Sequence, residues 1–297
     1  MMRRRLVGPD AQIDFPVLEE VLATGATDYL ALPLCSVEGV TSAVTYATDR
    51  PEGFISAEVS MLESLSPALA MAIEIQAKRR ILTTLLDIYL GHDAGLRVLA
   101  GTIRRGDMQR IYAVLWYCDL RGFTRLSEKL PPDELIETLN AFFECMGGAV
   151  EAESGDILKF IGDGMLAIFP VGEFDYCENV ATRAYRAAED ALRRLDALNT
   201  ERRRAGQPSL KCGIVLHVGD VIFGNIGAPR RLDFTVIGPA VNLAARIEAL
   251  CAELGRRLLV SATFSRFARA PLVSLGAYPL KGLTEPQEVF APAEGGG

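Results

Sequence analysis

Two apolar runs of strand length meet at Gly162-Asp163-Gly164 in the segment DILKFIGDGMLAIFP, residues 156–170. An Asp-Gly pair between such runs is a strong hairpin signal, because the tight turns that suit strand twist need positive φ. Long helical patterns flank this hairpin. Residues 131–153 put Leu135, Leu139, Phe142, Met146 and Val150 on one face, with Pro132 in the first turn, and residues 175–204 form a second long helix. Upstream, IYAVLWYCDL (111–120) is an apolar strand run. Downstream, KCGIVLHVGDVIFGNIG (211–227) reads as a second hairpin turning at Gly219-Asp220, followed by a helix over 239–253 and short elements to residue 291.

The order is β-α-β-β-α-β, an α+β chain of the ferredoxin-like split βαβ kind. That arrangement hosts many chemistries, so function has to come from side chains. The N-terminal part differs in character. DYLALPL (28–34) and VTSAVTY (40–46) read as strands, ATDRPEGF (47–54) as a turn-rich connection, and 57–89 as one amphipathic helix or two in series. The apolar spacing there suits a short coiled coil with a phase shift, or an ordinary packed helix. Residues 91–107 read as a glycine-punctuated connector. The expected division is 1–78, a helical linker over 79–108, and a main domain over 109–292.

A net charge of −7 and a pI near 5.1 argue against a general nucleic-acid or anionic-membrane surface. One phosphorylated ligand in a locally basic pocket stays compatible with that balance. Six cysteines, none in a CxxC pair, and two histidines argue against zinc; buried reduced thiols are expected. No run approaches the roughly 18 apolar residues of a membrane span, and the basic start MMRRRLVGPD has no apolar run after it. The cytoplasm is the expected location, with no transmembrane segment.

Three clusters could carry chemistry. In Asp119-Leu120-Arg121-Gly122-Phe123-Thr124 an acid closes a strand and glycine permits a sharp turn, whose amides can cradle an anion beside a cation-binding carboxylate. Taken alone, Asp119 reads better as the cap of a short helix. In KFIGDG, Asp163 sits at a hairpin tip and Lys159 in a mostly apolar strand. Asp163 and Asp119 converge if the two strands are neighbours, and Lys159 either faces solvent or needs a partner. In the third, Gly238-Pro239 starts a helix on which Asn242 and Arg246 share a face, able to grip a ribose and a phosphoryl group or simply to be solvated.

Together DLRGFT (119–124), KFIGDG (159–164), GIVLHVGDVIFGNIG (213–227), R-x-DFTVIG (231–238), VNLAARIE (241–248) and LKGL (280–283) resemble class III adenylate cyclases over residues 109–292. The resemblance implies conversion of ATP to 3′,5′-cyclic AMP and pyrophosphate. It implies that Asp119 and Asp163 bind two Mg2+ or Mn2+ ions per active site, one lowering the pKa of the 3′-hydroxyl and one offsetting leaving-group charge. It makes Lys159 and Thr235 the adenine-selecting pair, Asn242 the ribose-orienting residue and Arg246 the stabiliser of α-phosphate charge. Gly122, Phe123, Thr124 and Lys281 would help hold the phosphates. Adenine chemistry agrees: its ring nitrogen accepts from Lys159 and its amino group donates to the Thr235 hydroxyl or nearby backbone. Many members have Asp where this chain has Pro239, a change that touches local geometry and no metal ligand.

In that family two catalytic domains share each site, so one chain carrying both sets implies a homodimer with two sites. Guanylate cyclase, for which Lys159 and Thr235 are the wrong pair, and a non-catalytic nucleotide-binding module are the alternatives; no GGDEF-like loop suggests a diguanylate cyclase. The N-terminal region resembles the latter half of a GAF sensor domain through its strands, TDRPEGF and the following helix. It would serve sensing, with an unidentified ligand or partner, or dimerisation.

Overall fold

The computed structural model describes residues 1–35, 41–101, 106, 108–228 and 231–293. The chain divides into two compact units, Met1–Leu85 and Leu86–Gly297. Val40 of the expected strand 40–46, and residues 102–105 and 107 of the expected connector, lie outside the described residues.

The first unit holds β1 (Met2–Arg5), α1 (Pro16–Ala23), β2 (Asp28–Cys35), β3 (Thr41–Thr48) and the start of α2 (Ser56–Leu90). The strands form an antiparallel sheet in the order β1-β2-β3. Successive residues of β2 serve opposite faces, as the pleat requires. Tyr29 packs with Leu6, Leu18 and Ala26, whereas Leu30 and Leu32 pack with Val59 of α2. Asp28 is fully buried, and a polar side chain there is costly unless it is paired. It accepts from Arg3 Nη2 at 2.6 Å, Arg3 Nε at 3.0 Å and the Phe54 amide at 3.0 Å. The carboxylate thereby ties β1 to the turn that launches α2. That helix is one 35-residue element and runs through Pro67, which forfeits one backbone bond.

The second unit begins within α2 and continues through α3 (His92–Leu99), β4 (Met108–Arg121), α4 (Phe123–Lys129), α5 (Pro132–Ala152), β5 (Asp156–Ile161) and β6 (Gly164–Pro170). Then come α6 (Cys177–Arg204), β7 (Lys211–Ala228), β8 (Arg231–Ile237), α7 (Pro239–Glu253), β9 (Leu258–Ser261), α8 (Ala262–Ser265), β10 (Leu272–Tyr278) and β11 (Gln287–Pro292). The sheet runs β10-β11-β9-β7-β4-β6-β5, with β8 paired to β7. Its segment β7-β4-β6-β5 is the split βαβ order expected from sequence. Among the described residues, no helix is long and apolar enough to cross a membrane.

One expectation is overturned. Gly219-Asp220 is not a turn: β7 continues unbroken from Lys211 to Ala228 and pairs with the whole of β4. A long antiparallel ladder against an apolar strand outweighs the local turn preference of two residues. Gly219 instead lets Ala240 of α7 approach, where an added Cβ would stand 3.0 Å from the Ala240 methyl. The cysteine expectation also needs amendment: Cys118, Cys212 and Cys251 are buried thiols, but Cys35 is exposed.

Two helical layers cover the sheet. Val114, Trp116, Cys118 and Leu120 of β4 face α5 and α6, meeting Phe142, Met146, Ala184 and Ala188. Ala113 and Leu115 face the other way, onto Ala244, Ile247 and Cys251 of α7. We expect Asp28→Ala to destabilise the first unit, because it unties Arg3 and the Phe54 amide from each other. Hydrogen exchange at β1 and β2 checks this, and unchanged protection there would contradict it.

Candidate active site

Asp119 continues the face of β4 that carries Leu115 and Tyr117, so its carboxylate lies on the α7 side of the sheet. Its backbone pairs with Gly164 of β6 on one side and Gly213 of β7 on the other. The hairpin turn places Asp163 immediately before Gly164, and the Leu120 amide donates to the Asp163 carbonyl at 3.3 Å. A Cβ on Gly164 would lie 3.0 Å from Asp119 Oδ1, so a side chain there would crowd the carboxylate. The two aspartates, 44 positions apart in the numbering (163 − 119), meet at one end of the sheet. Asp119 does not cap the next helix; Gly122, at φ 75°, holds that position without a side-chain bond.

Burial and then the neighbouring Asp163 carboxylate push Asp119 up to about 6, against a backbone donor at Leu120 that favours the charged form. A third acid, unnoticed in the sequence, shares this environment. Burial first, then Asp119, raises Glu248 of α7 to about 7, with Arg121 pulling the other way. Glu248 lies over Gly213, where an added Cβ would collide with its Oε1 and stand 2.9 Å from Cys251 Cβ. In the sequence Glu248 reads as an ordinary polar residue of an amphipathic helix. The glycine opposite it, in the strand beside Asp119, is the only signal that could have found it.

The other expected residues form two further groups. Lys159 of β5 is paired: its Nζ lies 2.5 Å from Oδ2 of Asp233 on β8. Asp233, also unsingled in the sequence, stands two residues from Thr235, which is buried. On α7, Asn242 is exposed and Arg246 half-buried. The Arg246 guanidinium packs on Gly282, with Nη2 3.3 Å from where a Cβ would be, so the LKGL turn with exposed Lys281 flanks it. Phe123 and Thr124 open α4, whose first amides have no carbonyl one turn back. Pro239 is the first residue of α7 after Gly238 and is compatible with that helix.

The acid pair suits a hard divalent cation. Two converging carboxylates, one pushed toward protonation by burial and by its neighbour, are relieved when a cation lies between them. Among the described residues no group of three or more His, Cys, Asp or Glu side chains could hold a metal. Magnesium usually fills its remaining positions with water and phosphate oxygens.

The sign of the Asp119 effect is testable. Because its folded pKa is raised, its ionisation removes stability as pH rises from about 4 to about 6. Asp119→Asn should therefore raise the Tm of the cation-free protein at pH 8 and change it little at pH 4. In the parent protein Mg2+ or Mn2+ should raise Tm more at pH 8 than at pH 5, an increment that Asp119→Asn abolishes. A Tm that falls on substitution at pH 8 would contradict the repulsion.

The family model described as the Adenylate and Guanylate cyclase catalytic domain matches residues 108–290. An adenylate cyclase of Anabaena cylindrica is 37% identical over 159 residues, 52% of this chain and 30% of the relative. Adenylate cyclase 1 of Rhizobium meliloti is 33% identical over 147 residues, 49% of this chain and 22% of that one. The chain thus spans less than a third of the length of either relative. Among solved structures, a bacterial light-regulated adenylyl cyclase superposes with a TM-score of 0.63 at 28% identity, covering 77% of this chain and 65% of that one. The guanylyl cyclase Cya2 gives 0.54 at 29% identity, covering 64% and 96%. With more than half its length matched by that model, and the fold and acidic pair in place, the chain belongs to the adenylate and guanylate cyclase catalytic domain family.

Proposed function

We propose that the chain converts ATP to 3′,5′-cyclic AMP and pyrophosphate, at sites shared between two copies. The observation that carries this reading is the meeting of Asp119 and Asp163, two carboxylates at one end of the sheet. The ribose 3′-hydroxyl attacks the α-phosphorus and pyrophosphate departs in line. Two Mg2+ or Mn2+ ions held by Asp119 and Asp163 would supply a more acidic 3′-hydroxyl and compensation of leaving-group charge. Arg246 donates to the α-phosphoryl oxygens as charge builds there, and loss of one such group commonly costs about 10²–10³ in rate. Asn242 orients the ribose. Lys281, beside Arg246, and the first amides of α4 at Gly122, Phe123 and Thr124 hold the remaining phosphates. Lys159 donates to the adenine ring nitrogen and the Thr235 hydroxyl accepts from the amino group.

Sharing between copies is the arrangement that the resemblance implies. Within its own chain Arg246 packs on Gly282, its Nη2 3.3 Å from where a Cβ would be. A second copy would bring Arg246 to the aspartates, and the two-fold contact yields two such sites. The helix α2 adds support, since Ile81, Leu82, Leu85 and Ile88 are exposed along it, as a dimerising helix requires. We read the first unit as a GAF-like sensing or dimerisation region.

Supplied with equal ATP and GTP plus Mn2+, the protein should form cyclic AMP in at least about tenfold excess, the discrimination expected of mismatched hydrogen-bonding partners. Preferred cyclic GMP formation would overturn the substrate assignment in favour of the guanylate cyclase reading. Asp119→Ala and Arg246→Ala should each be inactive alone, yet regain about one quarter of parent activity when mixed, because half the dimers then contain one intact site of two. No recovery after demonstrated subunit exchange would exclude shared sites.

A further inference from the structure

On one edge β7 has two successive neighbours. β9 pairs with Ile214–Leu216 and β8 with Ile222–Ala228, so residues 217–221 pair with neither. A cavity of about 460 Å³ opens where those two strands part, with residues of α7 and α8 in its walls. It combines apolar surface from Val221, Ile237, Leu243 and Leu283 with one buried polar group, the imidazole of His217. A mostly apolar concavity with few polar groups is the usual make-up of a small-molecule site. His217 is 4% exposed, and nothing in the cyclase reading employs it. Its Nδ1 is engaged twice, by the hydroxyls of Ser261 at 2.8 Å and Thr263 at 3.0 Å. The Phe264 amide in turn fixes Ser261 by donating to its Oγ at 3.2 Å, so the ring is held in one orientation. Among the described residues Nε2 has no hydrogen-bond partner.

The free nitrogen stands beside the first turn of α7. A Cβ added to Gly219 would lie 3.1 Å from Nε2 and 3.0 Å from the Ala240 methyl, so both groups border one point. In that turn the Ala240 and Val241 amides have no carbonyl one turn back, and the helix dipole favours negative charge. Ala240 and Leu243 lie on the side of α7 opposite Asn242 and Arg246, which separates the cavity from the residues expected to hold nucleotide. We propose that this cavity is a second ligand site and that it takes a medium-chain monocarboxylate. The carboxylate accepts from His217 Nε2 at the foot of α7, and the hydrocarbon chain lies along Val221, Ile237, Leu243 and Leu283. Burial pushes His217 down to about 4, so without an anion the ring is neutral near pH 7. A carboxylate at Nε2 favours the imidazolium, whose Nδ1–H donates to the Ser261 and Thr263 hydroxyls while Nε2–H donates to the ligand. The other charged groups of the lining, Arg110 and Asp220, are exposed and of opposite sign.

The chain has two histidines, His92 and His217, so histidine side-chain NMR of the full-length protein reports the site directly. Hexanoate, butanoate, acetate and hexanol are titrated into parent protein, His217→Gln and Leu283→Ser. Hexanoate should move one of the two imidazole signals, the one missing from His217→Gln, and raise its pKa. Binding takes up a proton, so the affinity for hexanoate, which stays ionised throughout, should rise about tenfold from pH 8 to pH 6. Each added methylene between acetate and hexanoate should tighten binding about fourfold. Hexanol, which lacks the charge, should bind at least about tenfold more weakly than hexanoate. Leu283→Ser changes only an exposed part of the wall, so it guards against misfolding: it should weaken hexanoate severalfold and leave acetate unchanged. An unmoved His217 signal at saturating hexanoate, equal affinity in His217→Gln, or hexanol binding as tightly as hexanoate would overturn the proposal. Binding is read without turnover, so these outcomes stand whichever nucleotide the chain cyclises.

Discussion

Strands β4 and β7 pair without interruption from Met108 opposite Gly224 to Arg121 opposite Lys211. Nearly everything at the candidate site depends on that ladder. Because side chains alternate, the register that sends Trp116 and Cys118 into the α5–α6 layer sends Tyr117 and Asp119 toward α7. A slip of one residue would bury Asp119 among the aromatic side chains of the other layer. The same pairing sets Gly213 beside Asp119, and the absent side chain there admits Glu248 from α7.

The site is consequently a place of stored electrostatic cost. Asp119 and Glu248 are both pushed toward protonation, by burial first and by neighbouring carboxylates second, with Arg121 offsetting part of this at Glu248. A protein selected for stability alone would not gather acids at the end of a buried strand. Real chains break local rules of this kind at functional sites and are stabilised elsewhere. Here the stabilising part is apolar: two cores, one on each face of the sheet, run from β4 through β7 to the flanking helices. Of the other cationic groups, Lys159 is tied to Asp233 and Arg246 packs on Gly282.

The first unit follows the same physical logic on a smaller scale. Its two small clusters of apolar residues are joined by the buried Asp28, which collects Arg3 and the Phe54 amide. One carboxylate thus links the edge strand to the start of α2. Further along, that helix carries exposed apolar side chains instead of a buried face.

Local pattern was enough for the central hairpin, for helices α5, α6 and α7, and for the order of strands and helices, because each depends on residue spacing within one segment. It was the resemblance of short motifs to class III adenylate cyclases, and not local pattern, that singled out Asp119, Asp163, Lys159, Thr235, Asn242 and Arg246. Long-range pairing decided the rest. A Gly-Asp dipeptide at 219–220 carries the same local turn signal whether or not a partner strand exists, so only the ladder with β4 shows that β7 runs straight through it. Glu248 and Asp233 are unremarkable charged residues in their own segments. Their significance comes from what the fold sets opposite them, Gly213 beside Asp119 in one case and Lys159 in the other, and proximity between distant segments is a property that tertiary structure alone creates.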